Sequence, residues 1–147
     1  VSSHSLHKDI MKFINPTGLY DPRPNGYSHV VIASAPARII YIAGQGGENA
    51  EGELSEDFGA QVEQALRNLR TALAAAGAAH TDVAKVTALI VDHSEPRLAI
   101  FSLALRAIWG DHPAPACTLI PVPRLALDGM LFEIEATAIH QAADEIY

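Results

Sequence analysis

Residues 55–91 read SEDFGAQVEQALRNLRTALAAAGAAHTDVAKVTALIV, and two different periods follow one another within them. Phe58, Val62, Leu66, Leu69 and Leu73 recur at spacings of 4, 4, 3 and 4, which draws one apolar stripe along an α-helix. Ser55 is placed to cap that helix, Glu56 and Asp57 suit the positive end of its dipole, and Gly77 is placed to stop it. Glu63 and Arg67 stand four apart on the wet side. Val83–Val91 then turns to alternating, β-branched residues and predicts a strand.

Working outward, Pro16, Gly18, Pro22, Pro24 and Gly26 make residues 13–26 dense in turns. Residues 27–33 (YSHVVIA) predict a first strand and residues 38–43 (RIIYIA) a second. Residues 34–36 break the chain between them, and the two are expected to form a hairpin. Downstream, a second helix is expected from Pro96 to about Trp109, because proline in a first helical turn loses no hydrogen bond. Its stripe would be Leu98, Phe101, Leu105 and Ile108. Two further strands are expected at Ala116–Val122 and residues 131–140, joined by a loop with Pro123 and Asp128-Gly129. The order ββαβαββ predicts an α+β domain with two helices on one face of a mixed sheet. Ile40, Ile42, Leu119 and Phe132 suggest that the second face is apolar as well. With no helix left to cover it, another subunit is the expected cover.

The 147 residues suit one domain, assigned to 13–147, with residues 1–12 read as a polar arm partly foreign to the natural chain. An apolar fraction of 49 % against 18 % charged excludes a disordered chain. Ten Lys+Arg against seventeen Asp+Glu leave a net charge of −7, which opposes binding to nucleic acid or anionic lipid. Apolar runs such as residues 98–105 are far shorter than the roughly 20 residues that span a bilayer. The first ten residues carry no apolar core of a secretory signal, so a cytoplasmic protein is expected. Cys117 is the sole cysteine, which rules out an intrachain disulfide and a multi-cysteine metal site. The seven histidines are scattered, and His4-x-x-His7 falls in the arm, so no metal and no cofactor are expected. Gly44-Gln45-Gly46-Gly47 is no phosphate loop, because no helix starts directly after it and no Lys-Ser/Thr follows.

Several stretches resemble the RidA/YjgF family in the family's own order. Gly26-Tyr27-Ser28-His29 and Ile42-Ala43-Gly44-Gln45 are similar to its Gly-Pro-Tyr-Ser-Gln and Ser-Gly-Gln signatures. Residues 60–66 with Asn68 resemble its first helix, and residues 82–87 the strand after it. Pro113-Ala114-Pro115-Ala116-Cys117 resembles its Pro-Ala-Arg-Ser-Cys, and Phe132-Glu133-Ile134-Glu135-Ala136 its Val-Glu-Ile-Glu-Ala. The resemblance spans residues 16–140. It implies a chorismate-mutase-like fold and a homotrimer whose sheets form a β-barrel core with the helices outward. Small acids would bind in clefts between the subunits. Family enzymes hydrolyse enamines and imines to a keto acid and ammonia; others are described as ribonucleases or translation inhibitors.

The departures weigh as much as the matches. The family's carboxylate-gripping arginine falls on Pro115, which has neither charge nor donor, and the serine of Ser-Gly-Gln falls on Ala43. Tyr27, Gly44, Cys117 and Glu133 remain. Glu133 is the candidate catalytic carboxylate, able to activate water or take a proton; read alone, it is a structural carboxylate at a subunit seam. Tyr27, Gly44, Cys117 and Arg124 are candidate substrate-binding residues. Bare sequence makes Tyr27 an ordinary amphipathic strand residue and Cys117 a small buried hydrophobe. Arg124, in the stiff Pro121-Val122-Pro123-Arg124 segment, is the candidate replacement anchor for an acid; otherwise it is a solvated charge or a salt bridge. Arg106 has a weaker claim. Two expectations remain: an atypical deaminase or hydrolase of a small enamine, imine or related acid, and a non-catalytic trimer that senses a metabolite or binds a partner. Ribonuclease activity ranks third.

Overall fold

The structure is a computed structural model that describes residues 10–141. Six strands and two long helices follow in the order β1 (Met11–Ile14), β2 (Val30–Ala33), β3 (Ala37–Gly46), α1 (Phe58–Ala75), β4 (Val83–Val91), α2 (Glu95–Trp109), β5 (Ala116–Val122) and β6 (Phe132–Gln141). Short 3-10 turns sit at Arg23–Asn25 and His80–Asp82. The main sheet runs β3-β6-β4-β5, and β1 with β2 forms a separate ribbon. β6 is antiparallel to both β3 and β4, whereas β4 and β5 are parallel and joined through α2, the crossover that a parallel pair requires.

The expected hairpin between the first two predicted strands does not form. β2 pairs with β1, Met11 opposite Ala33, and β3 pairs with β6 from Ala37↔Gln141 to Gly46↔Glu133. Length explains the choice: β3 and β6 have ten residues each, and β2 has four. A long strand satisfies more of its backbone groups beside an equally long partner. β1 begins at Met11, inside the stretch read as an arm, and four residues are too few for alternation to reveal it.

The α1 stripe is buried as expected: Phe58, Val62, Leu66, Leu69 and Leu73 are at most 6 % exposed. They lie over Val86, Ala88, Ile90, Phe132, Ile134 and Ala138, all 0 % exposed. The rings of Phe58 and Phe101 stand 6.1 and 5.4 Å from that of Phe132. Each large side chain so buried stabilises the fold by about 1.5–3 kcal/mol. Asp57, not Ser55, caps α1: its carboxylate accepts from the Ala60 N–H at 2.9 Å, while Ser55 Oγ accepts from the Asp57 N–H. On α2, Ser94 accepts from the Arg97 N–H, and the buried side is Phe101, Ser102, Leu105 and Trp109. Leu98, expected in that stripe, is exposed, as are Ile100 and Leu103, while Trp109, on nearly the same side at the other end of the helix, is buried.

Ile40, Ile42, Leu119 and Phe132 all pack on the helix side, which corrects their expected place on the opposite face. That face is still apolar in part, through Ile39, Tyr41 and Ile120, which are 57, 76 and 43 % exposed. One chain thus forms an open sheet, with no closed barrel among the described residues. No helix among them is long and apolar enough to cross a membrane.

Candidate functional site

The bare face of the sheet carries Glu133. Phe132 and Ile134 point under the helices, so strand alternation turns Glu133 and Glu135 the other way. Across the sheet Glu133 stands level with Gly46 on β3, with Leu89 on β4 and, one strand further, with Ile120 on β5. The β3–β6 register shifts between Ile42 and Gln45, and Gly44 lies in this irregularity. A Cβ added at Gly44 would collide with Glu133 Oε1 and come within 2.7 Å of its Cδ. Only glycine lets the carboxylate lie flat on the backbone there. The exposed Gly44 and the half-buried Glu133 therefore form one unit on the side that no helix covers.

Two polar residues of α1 hold this unit in place. The Asn68 amide donates to the Gly46 and Glu48 carbonyls at 3.0 and 2.8 Å, pinning the glycine turn. Gln61 is 0 % exposed and fully bonded: its amide donates to the Ser55 and Gly129 carbonyls, and its Oε1 accepts from the Leu131 N–H at 2.8 Å. It thereby fixes the start of β6, two residues before Glu133. Sequence reading passed over Gln61, although a glutamine facing the same way as an apolar helix stripe signals a buried polar clamp.

A second group lies beyond the far end of β5. The Ser28 N–H donates to the Pro115 carbonyl at 3.0 Å, and Ser28 Oγ donates to the Ala114 carbonyl. Tyr27, immediately before it, belongs to an aromatic cluster with Tyr20 and His29 at ring distances of 6.4 and 5.6 Å. Pro115 is fully buried. Cys117 lies on the helix side, where burial pushes its thiol up to about 11, partly offset by the charge of Lys85. Lys85 itself donates to Thr118 Oγ1 at 2.6 Å on the bare face.

The predicted residues thus fall into separate places within one chain. Gly44 meets Glu133, and Tyr27 sits beside the Pro115 segment. Ala116 stands level with Lys85 and Thr137, four residues along β6 from Glu133, so these two groups occupy different ends of the sheet. Cys117 faces away from Glu133. Arg124, just past β5, donates to its own loop: Nε to the Leu125 carbonyl and Nη2 to Asp128 at 3.0 Å. Both partners are exposed, at 66 and 97 %. Among the described residues no cluster of His, Cys, Asp or Glu could hold a metal.

Comparison with known proteins places these features. The family model described as Endoribonuclease L-PSP matches residues 21–140. The RutC family protein YjgH of Escherichia coli is 33 % identical over 100 residues, covering 68 % of this chain and 74 % of that protein. A Salmonella typhimurium protein named 2-iminobutanoate/2-iminopropanoate deaminase is 33 % identical over 92 residues, 61 % of this chain and 70 % of its own. Among solved structures, YyfB of Yersinia pestis, a Rid-family protein described as of unknown function, superposes with a TM-score of 0.84 at 39 % identity. That match covers 88 % of this chain and 98 % of the other.

Proposed function

The chain belongs to the RidA/YjgF family, and on that premise we propose that it binds a small carboxylic acid in a cleft between subunits of a homotrimer. The observation that carries this reading is the Gly44–Glu133 unit, a carboxylate seated on backbone in a sheet face that its own chain leaves bare. The Tyr27 group sits at the other end of that sheet, so a cleft holding both would take one from each of two protomers. There Glu133 handles protons. An enamine first tautomerises to the imine. Glu133 then takes a proton from the water that adds to the C=N carbon and returns it to the nitrogen, and the C–N bond breaks to release ammonia and a keto acid. Gly44 and Tyr27 line the ligand, and the Cys117 strand backs it. Cys117 is no nucleophile, since a thiol held near 11 stays protonated at neutral pH.

Standard 2-imino-acid deamination is disfavoured, because the family resemblance aligns its carboxylate-gripping arginine with the buried, donorless Pro115. Arg124 is the replacement anchor in this reading. Its exposed pair with Asp128 is worth no more than about 1 kcal/mol, so a ligand carboxylate competes with it. The same buried proline supports a second reading, a non-catalytic trimer that senses a metabolite or binds a partner protein in the cytoplasm. The net charge of −7 opposes a ribonuclease.

The test generates 2-aminoacrylate in situ with a dehydratase and follows its decay. Little acceleration is expected here, and clear acceleration by an arginine-containing relative run in parallel. Robust acceleration that survives Arg124→Ala would overturn both the weight given to Pro115 and the anchor. Separately, 2-oxobutanoate should raise the thermal midpoint of the protein, and Arg124→Ala should remove that shift. Sedimentation equilibrium should give about three times the chain mass of 15.7 kDa; a clean monomer removes the cleft.

A further inference from the structure

A cleft of about 460 Å³ opens elsewhere in the molecule, between the chain's first turns and the C-terminal end of α2. It includes neither Gly44 nor Glu133, shares only Tyr27 with the residues of the acid site proposed above, and is lined by one chain. Phe13, Tyr27 and Trp109 give it an apolar lining, and Asn15, Arg106 and Asp111 give it polar groups. Trp109 is held firmly, 4 % exposed with its indole N–H donating to the His80 carbonyl at 3.1 Å.

The charges in this cleft are unbalanced in a specific way. Arg23 also borders it, but its guanidinium is spent on Asp21, through Nε at 2.8 Å and Nη2 at 3.0 Å. Arg106 makes one bond, from Nη1 to the Pro24 carbonyl at 3.1 Å, and no ion pair among the described residues. Asp111 makes no side-chain hydrogen bond and no ion pair among them, and it stands just past the end of α2. That helix end is the negative pole of the peptide dipoles and favours a cation beside Asp111. One cation and one anion that do not neutralise each other thus border the same partly apolar space.

We propose that this cleft binds a free α-amino acid as its zwitterion. The unused donors of Arg106 take the carboxylate, for which a guanidinium fork is well shaped. Asp111, beside the negative end of α2, takes the ammonium. Phe13, Tyr27 and Trp109 pack an apolar or aromatic side chain. This reading goes beyond the acid site above and does not depend on turnover there.

Trp109 is the chain's only tryptophan, so its fluorescence reports the cleft directly. The whole protein would be titrated with L-phenylalanine, 3-phenylpropanoate, which lacks the amine, and 2-phenylethylamine, which lacks the carboxylate. The expected result is a saturable change with L-phenylalanine and at least about tenfold weaker binding of the other two. Arg106→Gln keeps a donor for the Pro24 carbonyl and should weaken L-phenylalanine about tenfold at an unchanged thermal midpoint. Asp111→Asn, at an exposed position, should weaken L-phenylalanine but not 3-phenylpropanoate. No saturable response to L-phenylalanine, equal affinity for the acid alone, or undiminished binding in both Arg106→Gln and Asp111→Asn would each overturn the proposal.

Discussion

The two faces of the main sheet are built from the same strands and meet opposite fates. On one, Val86, Ala88, Ile90, Phe132, Ile134 and Ala138 are sealed under α1 and α2. On the other, Ile39, Tyr41 and Ile120 stand exposed beside Glu133, Glu135 and the Lys85–Thr118 bond. Because side chains alternate along a strand, a single step in sequence passes from the sealed face to the open one. Phe132 and Glu133 are neighbours in the chain and belong to different problems.

Substitutions on the two faces should separate those problems. Phe132→Ala empties the centre of the sealed layer and should cost about 3–5 kcal/mol in a denaturant titration. Glu133→Gln next to it should cost less than about 1 kcal/mol; equal losses would break the contrast.

Cys117 tests the sealed side chemically. Its thiol value of about 11 lies two units above the ordinary 9.0. Alkylation at neutral pH should therefore run about a hundredfold slower than for an ordinary thiol, and recover on unfolding. By linkage, the protonated thiol supports the fold fully below pH 9.0, and that support is lost as pH rises towards about 11. Cys117→Ser should flatten this alkaline decline, and an unchanged pH profile would show that the sulfur is wetter than its packing implies.

Gly44→Ala drives a methyl group into the space of the Glu133 carboxylate, which must swing aside on the open face, and should cost less than about 1 kcal/mol. Combining it with Glu133→Ala should return part of that loss, a coupling read from a double-mutant cycle. Strict additivity would mean that the two residues do not form a unit. The smallest effect is expected from Arg124→Ala, within about 0.5 kcal/mol, since its pair with Asp128 is exposed on both sides.

The strongly periodic parts were legible in the sequence: the α1 stripe, and the bounds of β4 and β5, all of which rest on local repetition. What failed was pairing. The partner of β3 lies far along the chain at β6, and the partner of β2 is four residues long, so neither leaves a local trace. The cap moved from Ser55 to Asp57 because both residues can serve and only backbone direction chooses between them. Of the candidate site residues, motif resemblance located Gly44 and Glu133 one by one, while their contact depends on a register irregularity that no spacing encodes. Gln61 was hidden for the opposite reason, a polar residue within the apolar pattern.

Pro121 lies in β5, an outer strand of the main sheet, opposite Ile90. A proline offers no N–H to an incoming strand, and the start of the same edge is already taken by the Ser28 bridge to Ala116. An open edge invites copy after copy to add on without limit, as in a fibre. Blunted in this way, β5 is a poor template for such growth, whereas β3, the outer strand on the opposite side of the sheet, carries no proline and keeps its edge open.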